Sequence, residues 1–231
     1  MSELTKIEIE SNSAQGTLTH KAYCHLRADI LSGKLTPGKK LKIEELRASV
    51  GTGASPIREA LSRLTSDGLV DRLDQRGFRV AEISLDEFDD LLKARCWLEE
   101  RALRESIAHG KAKWEEELVL SFYRLSRVPR SVGESTFAAN AEWENLHKDF
   151  HLALLSACGS PILIRYCEQL YDQNIRYRNI AGTVAYPTRN VMNEHQDVMN
   201  ATVDRNADLA VDTLLSHYTN TGSFLRATLA N

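Results

Sequence analysis

The N-terminal part of the chain carries short apolar stripes at the three- and four-residue spacing of amphipathic helices. Pro37-Gly38 marks a turn after the first stripe, and Gly51-Thr52-Gly53 separates the second stripe from the third. The apolar positions are, in chain order, Ala22, Tyr23, Leu26 and Ile30; Ile43, Leu46 and Val50; and Ile57, Ala60, Leu61 and Leu64. The pattern predicts three short helices, with a tight turn between the last two.

The third predicted helix has signals at both ends. Ser55 before Pro56 predicts an N-cap hydroxyl followed by proline at the first helical position. Asp67-Gly68 predicts a C-terminal cap in which the glycine adopts the left-handed conformation.

A hairpin is predicted after this helix. Two short apolar runs, Leu69 to Leu73 and Phe78 to Ala81, flank the turn Asp74-Gln75-Arg76-Gly77. Three helices and a two-stranded ribbon are typical of a winged helix-turn-helix, which we predict over residues 16–81 after a flexible tail over 1–15.

The rest of the chain is predicted to be helical. From residue 86 onward the amphipathic pattern is interrupted only at Pro129, Gly159-Ser160-Pro161 and Pro187, and no strand-like alternation appears. After a linker over 82–86, we predict an antiparallel, all-α bundle of six helices over 87–231 that binds a ligand and dimerises. Its helices are predicted over about 86–108, 112–128, 136–158, 161–181, 187–203 and 206–228. The predicted fold class is therefore mainly α.

Composition agrees with a two-domain globular protein of 231 residues, 42% hydrophobic and 26% charged. No apolar run approaches the ~20 residues of a membrane span, and no secretory signal is evident, so we expect a cytoplasmic protein. Four widely spaced cysteines are predicted to be buried, reduced thiols rather than a zinc or redox motif: Cys24, Cys96, Cys158 and Cys167.

Charge is distributed unevenly between the two predicted domains. The formal net charge is −3, but residues 16–80 carry 12 Lys and Arg against 7 Asp and Glu, whereas residues 81–231 carry 16 against 22. A basic module on an acidic partner is a weak indication of nucleic-acid binding.

The outer face of the third helix supplies the candidate DNA contacts. Its apolar residues leave Ser55, Arg58, Ser62 and Arg63 exposed, and a guanidinium such as Arg58 can pair bidentately with a guanine edge. Alternatively, Arg58 pairs with Glu59 or another surface group. The predicted DNA-binding residues are Ser55, Pro56, Arg58, Arg63, Gln75, Arg76 and Gly77.

These residues resemble the DNA-binding signature of the GntR family of bacterial regulators. The segments that carry the resemblance are Ser55-Pro56-Ile57-Arg58-Glu59-Ala60-Leu61, Leu64, Asp67-Gly68-Leu69-Val70 and Arg76-Gly77-Phe78-Arg79-Val80. Family members commonly have arginine at the position of Ala54, so the operator contact made there is absent from this chain.

Four of the seven histidines are predicted to face the bundle core. His147 and His151 share a face with Trp143 and Phe150, while His195 and His217 fall on the apolar stripes of two other helices. One such histidine is usually an ordinary core residue, but four would each need a buried partner. Converging imidazoles suit a divalent transition metal, zinc or nickel first.

The bundle resembles the effector domain of the FadR subfamily, in particular its FCD class. Trp143-Glu144, His147, Phe150-His151, Cys158-Gly159-Ser160 and Tyr177-Arg178 are similar to the carbon-starvation-induced regulator subgroup. The resemblance implies a metal held by one carboxylate and three histidines, and His147 stands where the acid is usual. His151, His195 and His217 are then the firmer ligands, with Glu144 and Asp149 as possible substitutes for the acid.

Charged and polar residues on inner helix faces suggest an anion site. Arg95 lies within an apolar stripe and must meet either Glu99 or a bound anion. The predicted effector-binding residues are Arg95, Asn174, Tyr177 and Arg178, and the effector is predicted to be a small organic acid.

Together these features predict a homodimeric transcription regulator, by resemblance a repressor, whose affinity for double-stranded operator DNA is controlled by the acid. One alternative is a regulator whose bundle only dimerises or senses a metal. A remote alternative is a metal-dependent hydrolase, although Lys148 occupies the place of a general-base glutamate between His147 and His151.

Overall fold

The computed structural model describes residues 3–74, 76–134 and 136–229, with side chains for 17–74, 76–134 and 136–227. The chain divides into two compact units, residues 1–83 and 84–231. The first unit contains α1 (Glu3–Leu31), β1 (Lys40–Leu41), α2 (Ile43–Val50), α3 (Ala54–Ser66), β2 (Val70–Leu73) and β3 (Gly77–Val80). Because the side chains of residues 1–16 lie outside the description, the flexible tail stays a prediction.

The first unit has the predicted winged helix-turn-helix fold. The inward residues of α3, namely Ile57, Ala60, Leu61 and Leu64, are fully buried, and Ala22 and Leu26 of α1 pack into the same core. Gly68 has φ +72°, the left-handed cap expected after α3, and its backbone N–H bonds the carbonyl of Thr65.

The start of α3 differs from the prediction. The helix begins at Ala54 with Gly53 as its N-cap, and no side chain caps it. Ser55 is therefore inside the first turn, where its hydroxyl lies 3.3 Å from Glu59 Oε1. Pro56 is compatible with this position, because the backbone N–H that proline lacks is one that the first turn of a helix leaves unpaired.

The wing contains one more strand than predicted. Strands β2 and β3 pair antiparallel, with Val70 opposite Val80, and β1 pairs with the other edge of β3, giving the order β1-β3-β2. Strand β1 has only two residues, too few to show an alternating pattern. Gln75, one of the predicted DNA contacts, lies outside the described residues.

The second unit is the predicted all-α bundle. Its helices are α4 (Leu85–His109), α5 (Ala112–Ser126), α6 (Ala141–Leu155), α7 (Pro161–Ala185), α8 (Val191–Val203) and α9 (Ala207–Leu229). Their inner faces form one hydrophobic core, in which Leu103, Leu118, Phe150 and Leu154 are fully buried.

Three helix ends differ from the predicted ones by four or five residues. Helix α6 begins at residue 141 rather than 136, because Ser131 and Ala139 form a β-bridge and Asn140 caps the helix through its side chain. Helix α7 continues to Ala185, because no proline lies between Pro161 at its start and Pro187. Helix α8 begins only at Val191, where Asn190 accepts a hydrogen bond from the backbone N–H of Asn193.

The cysteine prediction is half right. All four thiols are free, and Cys158 and Cys167 are buried, but Cys24 is exposed and Cys96 is half-buried. Cys24 lies on the outer face of α1, two positions from each of the buried residues Ala22 and Leu26. Among the described helices, none is long and apolar enough to cross a lipid bilayer.

Candidate functional site

Helix α3 presents a polar face to solvent. Ser55, Arg58, Ser62 and Arg63 are all exposed, as the helical spacing predicts. The guanidinium of Arg63 lies 4.3 Å from the ring centroid of Tyr23, so it is partly held against α1. Pro56 is buried and offers no side-chain surface to a ligand.

The hairpin provides a second exposed, basic surface. Arg76 and Gly77 are exposed, and Gly77 has φ +92°, a conformation that other residues rarely adopt. Beside the tip, Arg79 Nε donates to Asp71 Oδ2 at 3.1 Å across the two strands. Arg79 therefore belongs to the body of the wing, whereas Arg76 stands at its end.

The four predicted histidines come together inside the bundle. His147 and His151 on α6, His195 on α8 and His217 on α9 are all buried, and one candidate ligand atom from each lies within 4.8 Å of the others. The Nε2 of His147 is 3.0 Å from that of His195 and 3.1 Å from that of His151.

Three of the four imidazoles are held through the outer ring nitrogen, Nδ1. His147 Nδ1 lies 2.5 Å from the hydroxyl of Tyr171, and His151 Nδ1 lies 3.0 Å from that of Tyr218. His217 Nδ1 lies 2.7 Å from Glu194 Oε2. Such partners direct the opposite nitrogen, Nε2, toward the cluster centre.

The cluster is neutral in the absence of a bound cation. Burial lowers the pKa of all four histidines, and neighbouring charges such as Arg178 lower the pKa of His147 further. The pKa of His217 falls to about 4 because burial outweighs the hydrogen bond that His217 donates to Glu194. Neutral imidazoles are the form that ligates a metal.

A divalent transition metal fits this donor set. Its ligands are buried and unprotonated, and outer-nitrogen partners already orient three of them. The two acidic residues considered as alternative metal ligands do not join the histidine cluster. Asp149 is exposed, and Glu144 pairs with Arg178. His147 therefore stands in the cluster itself, as the sequence pattern predicted.

Arg95 pairs with Glu99 inside the bundle. Both Arg95 and Glu99 are 2% exposed, and Arg95 Nε donates to Glu99 Oε1 at 2.8 Å. The hydroxyl of Tyr218 donates to Glu99 Oε2, and the Arg95 guanidinium lies 4.2 Å from the Tyr218 ring centroid. Arg95 Nη2 has no hydrogen-bond partner in the described part of the chain.

Three further arginines surround the cluster. Arg178 pairs with Glu144 and donates to the Tyr171 hydroxyl at 3.2 Å. Arg189 makes two hydrogen bonds to Glu194, at 2.9 and 2.6 Å. The third, Arg130, lies 5.7 Å from the Trp143 ring, which stacks on His147.

Arg130 is the cation with the least compensation in this group. Burial together with Arg178 and Arg189 lowers the pKa of Arg130 to about 10. No ion pair of Arg130 occurs among the residues that the structure describes. This end of the site therefore carries excess positive charge and favours an anion.

A small cavity adjoins the histidines. Its lining residues are Leu92, Arg95, His147, His151, Asn174, Arg178, His217, Tyr218 and Thr221. The volume of about 10 Å³ is room for about one water molecule. An organic acid would require surrounding side chains to move.

The predicted effector residue Tyr177 faces elsewhere. Its hydroxyl donates to Glu87 Oε2 at 3.0 Å, and its ring centroid lies 5.2 Å from that of Phe88. The inward face of α7 instead runs through Cys167, Tyr171, Asn174 and Arg178, at four-, three- and four-residue steps. Of the three effector-binding residues predicted on this helix, Asn174 and Arg178 line the cavity beside the histidines and Tyr177 does not.

Several site residues were missed by the sequence analysis. Tyr171 follows from extending the α7 stripe backward from Arg178, so helical spacing was a usable signal. Tyr218 and Glu194 are sequence neighbours of predicted ligands, and their roles depend on the rotation of α8 and α9. Arg130 lies between helices, where periodicity carries no information.

A winged helix-turn-helix unit followed by an all-α bundle is an architecture of DNA-binding transcription regulators. Residues 18–80 match the bacterial regulatory proteins of the gntR family, and residues 90–220 match the FCD domain. The chain belongs to the GntR family and carries an FCD domain.

Two relatives support this assignment. One is the uncharacterized HTH-type transcriptional regulator BphR of Paraburkholderia xenovorans LB400, 37% identical over 91% of this chain and 86% of the relative. Another is the HTH-type transcriptional repressor GlaR of Escherichia coli K12, 34% identical over 68% and 71%. The matched domains and these relatives are those of transcription regulators and not of enzymes.

Solved structures show the same fold. Escherichia coli McbR/YncC matches with a TM-score of 0.73 at 22% identity, covering 93% of this chain and 99% of that one. A GntR-type regulator from Rhodococcus sp. RHA1 matches with a TM-score of 0.70 at 18% identity, covering 90% and 97%.

Proposed function

We propose that this regulator is a repressor whose bundle binds a divalent transition metal and a small organic acid, and that the acid controls its affinity for operator DNA. The observation that carries the proposal is the convergence of four buried, neutral histidines near Arg130, an arginine with no ion pair among the described residues. One relative is named a repressor, which agrees with the direction proposed.

For the DNA-binding unit, we infer that α3 enters the major groove. Arg58 and Ser55 would contact base edges and phosphate, Arg63 would contact the backbone, and Arg76 and Gly77 with Gln75 would reach a neighbouring groove. Exposure of the described members supports this assignment. Pro56 would act by shaping the start of α3.

For the sensing unit, we infer that His151, His195 and His217 hold zinc or nickel, with His147 as the fourth candidate. When bound, the metal supplies a positive centre that accepts an oxygen ligand. Arg178, Arg130 and the unpaired Nη2 of Arg95 would attract the carboxylate, and Asn174 would hydrogen-bond it.

The small cavity suggests how binding is coupled to DNA. A carboxylate larger than one water molecule must displace side chains, so it favours a conformation different from the one described here. In a homodimer, such a change would alter the spacing of two DNA-binding units on a palindromic site. Exposed apolar side chains of the bundle, including Trp97, Tyr123 and Tyr166, offer surface for self-association.

The experiment combines DNA and ligand titrations on the full chain. We expect salt-sensitive binding to the promoter DNA beside its own gene, weakened by one member of a carboxylate panel in the presence of zinc. Thermal shift with the same panel, with and without zinc, separates an acid sensor from a metal-only bundle. Binding to no duplex at any salt concentration would refute the regulator mechanism, and stabilisation by metal alone would refute acid sensing.

A further inference from the structure

Helix α5 carries apolar side chains on its outer face as well as on its inner face. Leu118 and Leu125 on the inner face are fully buried in the core of the bundle. On the outer face, Val119, Leu120 and Tyr123 are 44%, 45% and 60% exposed. A surface helix normally keeps its outer face polar, so adjacent apolar side chains at this position indicate contact with another surface.

The three apolar side chains open onto a shallow groove of about 580 Å³. Ala112 at the start of α5 and Val203 at the end of α8 extend the groove beyond them, and Glu116 stands at its edge. A groove that runs along a helix has a shape that a second helix can fill.

Opposite charges flank the apolar side chains along α5. Glu116 lies four residues before Leu120 and Arg124 lies four residues after it, so the three side chains share one face of the helix. Both charged side chains are exposed, and neither forms an ion pair with the residues that the structure describes. They are separated by about 12 Å along the helix axis, too far to pair with each other in one chain.

This charge pattern is complementary to itself when the helix direction is reversed. If two copies of α5 pack antiparallel about a two-fold axis at Leu120, Glu116 of each copy faces Arg124 of the other copy. Leu120 then meets its own counterpart at the centre of the contact. Parallel packing would instead place like charges opposite each other. The pattern therefore favours a second copy of this chain in antiparallel orientation as the occupant of the groove.

The contact is small. Beyond Glu116 and Arg124 the same symmetry brings Lys113 toward Arg127, and crossing helices diverge at their ends, so the contact stops there. It extends over the outer face from residue 116 to residue 124 on each copy, far less than the about 20–30 residues per side of a stable interface. Such a contact is too weak to hold two free chains together, but it can join chains that are already dimeric.

We propose that the outer face of α5 is a second self-association surface, through which homodimers of this chain join into tetramers. This inference rests on the homodimer of the proposed function. Two α5 faces per dimer allow two contacts to form between the same pair of dimers, and the second contact benefits from a high effective concentration. A tetramer has four DNA-binding units and can therefore bind two operators at once.

Sedimentation velocity of the full chain, from low nanomolar to high micromolar concentration, tests this assembly. We expect dimers at low concentration and tetramers at high concentration. Leu120→Glu places two carboxylates together at the two-fold axis and should keep the chain dimeric throughout. The matched control is Leu209→Glu, because Leu209 is 49% exposed and does not line the groove, and it should leave the equilibrium unchanged.

Two results of this experiment would overturn the proposal. The unmodified chain would remain dimeric at every concentration if something else covers the groove, or Leu120→Glu would produce monomers if α5 is the dimer surface itself. A monomeric unmodified chain at every concentration would instead refute the homodimer of the proposed function.

Charge reversal tests the antiparallel orientation. Glu116→Arg should weaken tetramer formation about tenfold or more, since the two-fold axis makes each reversed charge act twice. Adding Arg124→Glu should restore the affinity to within about threefold of the unmodified chain, because opposite charges face each other again. The two residues do not touch within one chain, so this rescue reports a contact between copies. A double variant no better than Glu116→Arg alone would overturn the antiparallel contact.

Discussion

Replacing Glu99 by glutamine is expected to destabilise the bundle strongly. The substitution preserves side-chain volume but removes the negative charge that faces Arg95, and both side chains are 2% exposed. Removing one partner of a buried ion pair costs about 3–5 kcal/mol, because the remaining charge stays desolvated. Tyr218 also loses its charged acceptor, which places the expected loss within that range rather than below it.

Urea unfolding followed by tryptophan fluorescence measures this loss directly. Trp97, Trp114 and Trp143 lie on α4, α5 and α6, so the signal reports the bundle and not the DNA-binding unit. Linear extrapolation gives the free energy of unfolding for each variant. As a control, Glu117→Gln breaks the exposed pair with Lys113 and is expected to cause no measurable change.

A double variant separates charge from packing. Arg95→Met with Glu99→Leu removes both charges, and we expect it to recover at least half of the stability lost in Glu99→Gln, since apolar replacements of buried ion pairs are often neutral. A loss below about 1 kcal/mol for Glu99→Gln would show that Arg95 is compensated elsewhere. The reasoning about this pair would then be refuted.

Three other outcomes are expected. Arg58→Ala should cost about 1–3 kcal/mol of DNA-binding free energy at constant salt, measured by fluorescence anisotropy, and unchanged affinity would remove Arg58 from the reading surface. His195→Ala combined with His217→Ala should abolish stoichiometric metal in elemental analysis of the purified chain, and full retention would contradict the assigned cluster. Because burial lowers the pKa of His217 from 6.5 to about 4, protonation favours the unfolded chain. The metal-free protein should therefore lose stability as pH falls below about 6.5, and His217 by itself should contribute about 1 kcal/mol of that loss between pH 7.5 and 5.5. Constant stability in urea unfolding over that range would count against neutral, buried imidazoles.

The architecture could be predicted from the sequence because it depends on local periodicity. Helical spacing placed Ile57 and Leu64 in the core and Arg58 on the surface, and glycine chemistry placed the cap at Gly68. Spacing likewise placed His151 and His195 on inner faces. Periodicity failed where structure is short or irregular, so it missed the two-residue β1 and misplaced the start of α6, which a bridge at Ser131 delays.

By itself, the sequence determined the two units, the inward histidines and the presence of buried charge, since each follows from residue type and position on one helix. Only the tertiary structure decided which groups meet. That Tyr218 donates to Glu99, that Tyr171 contacts His147 and that Tyr177 faces Glu87 depend on how α4, α6, α7 and α9 are rotated against one another. Rotating a helix about its axis by one residue exchanges inner and outer positions. No local sequence pattern specifies this rotation, because the packing of several helices sets it jointly.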